Sequence, residues 1–280
     1  MPLARLTTAQ QLAESPAQPI LFDCRFALED PAYGQRSYAA GHIPGARFLD
    51  LEQDLSGPVI PGRTGRHPLP DPQQLLEQLR ELGADNDSRI VFYDDGPGAF
   101  AARAWWLLAW LGKRDGLYLL DGGLAAWRAA GLPLETAVAT PDRGTLDGTP
   151  DPRMLVEAAE LAAEPARFHL LDARALPRFR GEVEPIDPVA GHIPGALCAP
   201  FGDNLGADGR FLDAAQLRQR FQALADGQGG RAAVAYCGSG VTACHTIFAM
   251  ALAGLEPPRL YAGSWSEWIT DPARPVARGQ

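Results

Sequence analysis

The hexapeptide Gly41-His42-Ile43-Pro44-Gly45-Ala46 returns unchanged as Gly191-His192-Ile193-Pro194-Gly195-Ala196. A repeat at that separation constrains the fold more than any overall composition, because one folding unit must then occur twice. Three further matches follow in the same order. Leu21-Phe22-Asp23-Cys24-Arg25 returns as Leu170-Leu171-Asp172-Ala173-Arg174, and the apolar stretch ending at Tyr93 returns ending at Tyr236. Asp121-Gly122-Gly123 to Trp127 matches Ala262-Gly263-Ser264 to Trp268. Four matches in one order mean a tandem duplication. The copies are residues 1–138 and 153–280, joined by a linker, 139–152, that is rich in Pro, Gly, Thr and Asp and lacks apolar periodicity. At 280 residues and 46% hydrophobic, the chain can give each copy its own core.

Within each copy, short apolar runs alternate with helical patterns. The first copy predicts strands at 20–23, 90–93 and 117–120, and helices at 72–83, 100–111 and 124–130; Asp71 caps the first of these helices, with Pro72 at its first position. The second predicts strands at 168–171 and 232–236, and helices at 154–163, 213–225 and 242–252. Such alternation implies the α/β class, a mostly parallel sheet flanked by helices in each copy. Ligands of such sheets sit beyond the carboxyl ends of the strands.

One cysteine stands at such an end. Tyr236-Cys237-Gly238-Ser239-Gly240-Val241-Thr242-Ala243 joins a predicted strand to a predicted helix through a loop with two glycines. A loop of this kind aims backbone N–H groups inward, and those groups together with the helix N-terminus favour a thiolate. Cys237 is the candidate nucleophile, and Gly238, Gly240, Val241 and Thr242 form its candidate cradle. The matching position in the first copy is Asp94, which cannot act as a soft sulfur nucleophile. One copy carries the chemistry and the other serves as scaffold.

A formal net charge of -9 argues against a nucleic-acid surface or an affinity for anionic membranes, and leaves small molecules as the expected partners. No basic, apolar leader opens the chain and no apolar run is long enough to span a bilayer, so a cytoplasmic protein is expected, working as a monomer. The four cysteines, at 24, 198, 237 and 244, form no metal-type pair and are expected to be reduced; no metal or organic cofactor is called for. Cys24, Cys198 and Cys244 read as small buried hydrophobes. His42 and His192, which sit in both copies, read as structural, as do the repeated Asp23/Arg25 and Asp172/Arg174 pairs.

Taken together, the repeated Gly-His-Ile-Pro-Gly-Ala, the Cys-Gly-Ser-Gly-Val-Thr loop and the closing Gly-Ser-Trp-Ser-Glu-Trp resemble the two-domain rhodanese sulfurtransferases over essentially the whole chain. The resemblance implies two tandem rhodanese-like domains and transfer of sulfane sulfur through a Cys237 persulfide. Acceptors would be a thiol, cyanide or a thioredoxin-like protein. Gly238, Ser239 and Gly240 are similar to the loop of 3-mercaptopyruvate sulfurtransferases, whereas thiosulfate sulfurtransferases place basic residues there; thiosulfate is the alternative donor. A dianionic donor would be helped by cations in the loop, while a mercaptopyruvate donor, leaving as an enolate, calls for a hydroxyl proton source and an arginine on its carboxylate. By the same resemblance Ser239 supplies the hydroxyl, His67 and Glu52 complete a relay with it, and Arg178 takes the substrate carboxylate. A second arginine common downstream in such enzymes is absent here, Ile186 lying in that region, with Arg180 as a possible substitute. Related folds with a Cys-x5-Arg cradle are phosphatases, but Ala243 stands where that arginine would be, and the reading is set aside. A sulfur-carrier module without turnover is the non-enzyme alternative.

Overall fold

The computed structural model describes residues 4–16 and 18–279. Contacts divide the chain into two units: 1–57, 70–151 and 206–211 form the first, and 58–69, 152–205 and 212–280 the second. The stretch 58–69, which lies inside the first sequence copy, thus belongs by its contacts to the second unit. Residues between 138 and 152 pack on the first unit, where Gly144 and Leu146 N–H donate to the carbonyls of Arg80 and Ala84.

In the first unit the elements run β1 (Leu6–Thr7), α1 (Ala9–Ala13), β2 (Ile20–Asp23), α2 (Tyr33–Ala40), β3 (Ala46–Phe48), α3 (Pro72–Glu81), β4 (Ile90–Tyr93), α4 (Ala99–Trp110), β5 (Leu117–Leu120) and α5 (Gly123–Ala129). The sheet order is β1-β5-β4-β2-β3 and every pairing is parallel. Asp71 caps α3 by accepting from the Gln73 and Gln74 N–H groups, and Pro72 needs no partner at the first turn. Leu75, Leu76 and Leu79, spaced for one helix face, are buried. α4 is apolar apart from Arg103, and all of its residues except Phe100 are buried; Trp105, Trp106 and Trp110 give it a large apolar area.

In the second unit the elements are α6 (Ala158–Ala163), β6 (Phe168–Asp172), α7 (Leu176–Arg180), β7 (Leu197–Cys198), α8 (Ala214–Ala225), β8 (Ala232–Tyr236), α9 (Thr242–Leu252), β9 (Arg259–Leu260) and α10 (Ser264–Trp268). The order β7-β6-β8-β9 repeats that of β3-β2-β4-β5, again wholly parallel. The single helix expected over 154–163 is instead a short 3-10 turn, Pro152–Met154, followed by α6. Between them the chain is extended, because Leu155 bridges Leu260 and Val156 N–H donates to the Leu260 carbonyl. Leu155 thereby does at β9 what β1 does at β5.

The repeated motifs build the same corner twice. Asp23 takes the Arg25 guanidinium on both oxygens and Asp172 takes that of Arg174, all four side chains being buried. Each arginine then reaches across to a glycine carbonyl of the hexapeptide, Gly41 or Gly191. Tyr93 and Tyr236 receive the N–H of Ile43 and Ile193. His42 stacks on Tyr38 and His192 on Phe179, each binding through Nδ1 the carbonyl of the residue it stacks on. A buried ion pair of this sort is stabilising only because its remaining donors and acceptors are also satisfied.

Candidate active site

Cys237 follows β8, a central strand of the second sheet, and is 2% exposed. Its Sγ accepts the Gly240 N–H at 3.1 Å, and its own N–H donates to Ser264 Oγ at 3.1 Å. The N–H groups of Trp265 and Ser266, in the first turn of α10, hold the Cys237 and Gly238 carbonyls, each at 3.0 Å. The loop is thus fixed from within and from α10. Gly240 has φ +79°, and a Cβ on it would lie 2.4 Å from the Ala262 carbonyl oxygen, so glycine is required on both counts. Val241 is buried and Thr242 opens α9.

Ser264 is the one residue other than glycine with positive φ among the described residues, at 54°. Its Oγ donates to the Tyr261 carbonyl at 2.9 Å while accepting from Cys237, so the strained backbone places a side-chain acceptor under the nucleophile. Its counterpart in the first unit is Gly123, at φ 56°.

Ser239 is buried beside the nucleophile, and His67 Nδ1 lies 2.8 Å from its Oγ. The 58–69 loop carries His67 into the second unit: Arg66 N–H donates to Ser266 Oγ at 3.1 Å, and a Cβ on Gly65 would meet the Gly263 carbonyl oxygen at 2.4 Å. Glu52 belongs to the first unit, where its side chain is exposed and its N–H donates to Asp50 Oδ1 at 2.8 Å.

Arg178, in α7, is half-buried, and its Nε and Nη2 grip the Glu184 carboxylate at 2.8–3.2 Å while Nη2 also meets Asp187 at 3.1 Å. Burial opposes ionisation of Glu184, but hydrogen bonds from Arg178 outweigh it and hold this carboxyl below its usual range. For Asp187 the balance tips the other way, burial raising it despite Arg66 and Arg178. Arg180 pairs only loosely with exposed Glu182, at 3.8 Å. The second guanidinium at the loop is that of Arg66: a Cβ built on Gly238 would lie 2.9 Å from Arg66 Nη2 and 3.5 Å from Arg178 Nη1. Sequence reasoning missed Arg66, Ser264, Glu184 and Asp187; the one available signal was an arginine immediately before His67.

The first unit shows what the disarmed copy does with the same loop. Asp94 is buried after β4 and its carboxylate accepts the N–H groups of Gly96, Gly98, Phe100 and Ala101 at 2.9–3.4 Å. The loop between strand and helix is therefore an anion cradle by construction, filled there by the chain's own carboxylate.

The paired parallel sheets and the cysteine loop define a tandem sulfur-transfer fold, and the chain matches the rhodanese-like domain twice, over residues 6–130 and 156–271; it belongs to that family. It is 65% identical over 283 residues to a probable 3-mercaptopyruvate sulfurtransferase of Pseudomonas aeruginosa, covering 100% of both chains. It is 44% identical over 280 residues to a putative thiosulfate sulfurtransferase of Mycobacterium tuberculosis, covering 98% of this chain and 97% of that one. The crystal structure of an Escherichia coli 3-mercaptopyruvate sulfurtransferase superimposes with a TM-score of 0.78 at 32% identity, over 94% of this chain and all of that one. No helix among the described residues is long and apolar enough to cross a membrane.

Proposed function

We propose that the chain is a 3-mercaptopyruvate sulfurtransferase acting through Cys237. The observation that carries this reading is the buried hydrogen bond between Ser239 Oγ and His67 Nδ1 within the nucleophile's loop. The names and full-length coverage of the relatives support the same donor.

In the first half-reaction the Cys237 thiolate attacks the thiol sulfur of the donor. The carbon–sulfur bond breaks, its electron pair passes to the three-carbon fragment as pyruvate enolate, and the sulfur stays on Cys237 as a persulfide, keeping its own proton. Ser239 gives a proton to the enolate and is resupplied by His67 Nδ1, so pyruvate departs. The Gly240 N–H, already on Sγ, stabilises negative charge that returns to the inner sulfur in the second half-reaction. There a thiolate acceptor, free or carried by a thioredoxin-like protein, attacks the outer sulfur, breaks the sulfur–sulfur bond and regenerates the Cys237 thiolate; cyanide leaves as thiocyanate, releasing the proton. A reducing, cytoplasmic setting suits a reaction that turns on the Cys237 thiolate.

Thiosulfate is the second reading, favoured by the name of the 44% identical relative and by the two guanidinium groups beside Gly238. Against it, both arginines already carry carboxylates, Glu184 and Asp187, which leaves little net positive charge for a dianion. Steady-state rates with both donors decide: higher kcat/KM with mercaptopyruvate is expected, and Ser239→Ala should depress that rate more than the thiosulfate rate. Equal or higher efficiency with thiosulfate would overturn the assignment.

A further inference from the structure

Successive residues at the start of α10 each hold a different part of the cysteine loop. Ser264 Oγ takes the Cys237 N–H, the Trp265 N–H holds the Cys237 carbonyl, and the Ser266 N–H holds the Gly238 carbonyl. Ser266 also reaches the 58–69 arm: its Oγ accepts the Arg66 N–H at 3.1 Å and lies as a donor 3.4 Å from the Gly263 carbonyl. Gly238 precedes Ser239 and Arg66 precedes His67, so Ser266 grips the chain next to each partner of the 2.8 Å contact between Ser239 Oγ and His67 Nδ1. Ser239, Gly238, Ser266, Arg66 and His67 close a hydrogen-bonded ring. The first unit offers an internal comparison. There the Leu124 and Ala125 N–H groups hold the Asp94 and Asp95 carbonyls at 2.8 and 3.0 Å, as Trp265 and Ser266 hold those of Cys237 and Gly238. The side chain differs, because Ala125 stands where Ser266 does, and the 206–211 segment is caught from another position, Phe211 N–H on Asp121 Oδ1 at 3.1 Å. The copy without a nucleophile keeps the backbone frame and lacks the hydroxyl.

We propose that Ser266 is a positioning residue for sulfur transfer, its hydroxyl setting the register of the 58–69 arm so that His67 Nδ1 meets Ser239 Oγ. The assignment rests on mercaptopyruvate being the donor, since it is the enolate product that calls for the proton Ser239 and His67 deliver. The Arg66 side chain is anchored on Asp187, but through a long stem that leaves its backbone room to shift. The bond to the Arg66 N–H removes that freedom directly before His67. A misplacement of about 1 Å at a reacting contact is enough to cost up to about a hundredfold in rate. Ser266 is buried, so water does not take over its role when the hydroxyl is removed. Glycine at 65 has the same cause: a Cβ there would lie 2.7 Å from Ser266 Oγ and 2.4 Å from the Gly263 carbonyl oxygen, and would hold the Arg66 N–H away from the hydroxyl.

The test is a double-mutant cycle in the full chain, comprising wild type, Ser266→Ala, His67→Ala and the double variant, read as the single-turnover rate of pyruvate release at saturating mercaptopyruvate without acceptor. Ser266→Ala keeps the backbone bond to Gly238 and should lower that rate about tenfold, with the half-saturating concentration within about twofold, because the hydroxyl acts on proton delivery and not on donor binding. In the His67→Ala background the same substitution should cost less than about twofold, since the hydroxyl then has no histidine to place. The rate of Cys237 alkylation by iodoacetamide should stay within about twofold of wild type and the melting temperature within about 5 °C, as the loss of one hydrogen bond allows. Gly65→Ala drives the arm off the same hydroxyl and should show the same dependence on His67. An equal fall in both backgrounds, or a fall matched by slower Cys237 alkylation, marks a general packing role and overturns the assignment, as does no fall at all; each leaves mercaptopyruvate as the donor. A wild type that releases no pyruvate, or a His67→Ala variant that releases it at the wild-type rate, removes the functional reading, and this assignment with it.

Discussion

Ser264 holds the nucleophile by an arrangement whose two components can be separated by substitution. The backbone at φ 54° is one that an L side chain adopts at a cost of roughly 1–2 kcal/mol. The Oγ, completely buried, accepts the Cys237 N–H, and leaving such a donor unpartnered costs about 1–3 kcal/mol. Ser264→Ala keeps the backbone cost and removes the acceptor; Ser264→Gly removes both the acceptor and the steric cost. Both variants should be less stable than wild type, with Ser264→Gly recovering about 1 kcal/mol relative to Ser264→Ala, after allowance for glycine's greater freedom in the unfolded chain. In a calorimetric melt that recovery corresponds to about 2–4 °C. Both should also lose activity alike, since the Cys237 backbone is released in each. Equal melting temperatures for the two variants would refute the strain at residue 264. Full activity in either would refute the positioning role of its hydroxyl.

Two further predictions concern the first unit. Burial, with Asp50 nearby, pushes the Asp54 carboxyl up to about 6, although the Asp50 N–H bonds to it at 2.8 Å. The folded state then binds this proton more tightly than the unfolded chain, so the cost is absent below about pH 4 and fully present above about pH 6. Asp54→Asn keeps an acceptor for the Asp50 N–H and should stabilise the protein near pH 7.5, by about 1–2 kcal/mol given partial exposure, and not at pH 4, as read from urea unfolding at the two pH values. Asp94→Asn leaves backbone donors of the filled cradle facing an amide NH2 and should destabilise the first unit by about 2–4 kcal/mol, measured in the same way, without abolishing Cys237 alkylation in the native protein.

The duplication and the parallel α/β plan were legible because the corner residues repeat: Asp23 with Arg25 and Asp172 with Arg174 make one buried structure twice. Long elements were legible for the same reason that α4 and α9 are, since their apolar character is continuous along the helix. Two-residue strands such as β1, β7 and β9 carry too few side chains for a period, and their existence is decided by the neighbouring strand. The region after Pro152 reads as one helix by composition, yet Leu155 and Val156 are claimed by β9. In the site, Cys237 and Ser239 were visible from a local motif. Arg66 was not, because its meeting with Gly238 is made by a loop distant in sequence, and Glu184 and Asp187 matter only through the arginines they hold.

In the proposed reaction sulfur passes through Cys237 and pyruvate is the product. Mass spectrometry of the Cys237 peptide after a single addition of mercaptopyruvate without acceptor, with released pyruvate measured in the same sample, tests it most directly. One added sulfur on Cys237 is expected for each pyruvate released, and neither in Cys237→Ser. Pyruvate released with no sulfur on Cys237, or turnover by Cys237→Ser, would contradict it.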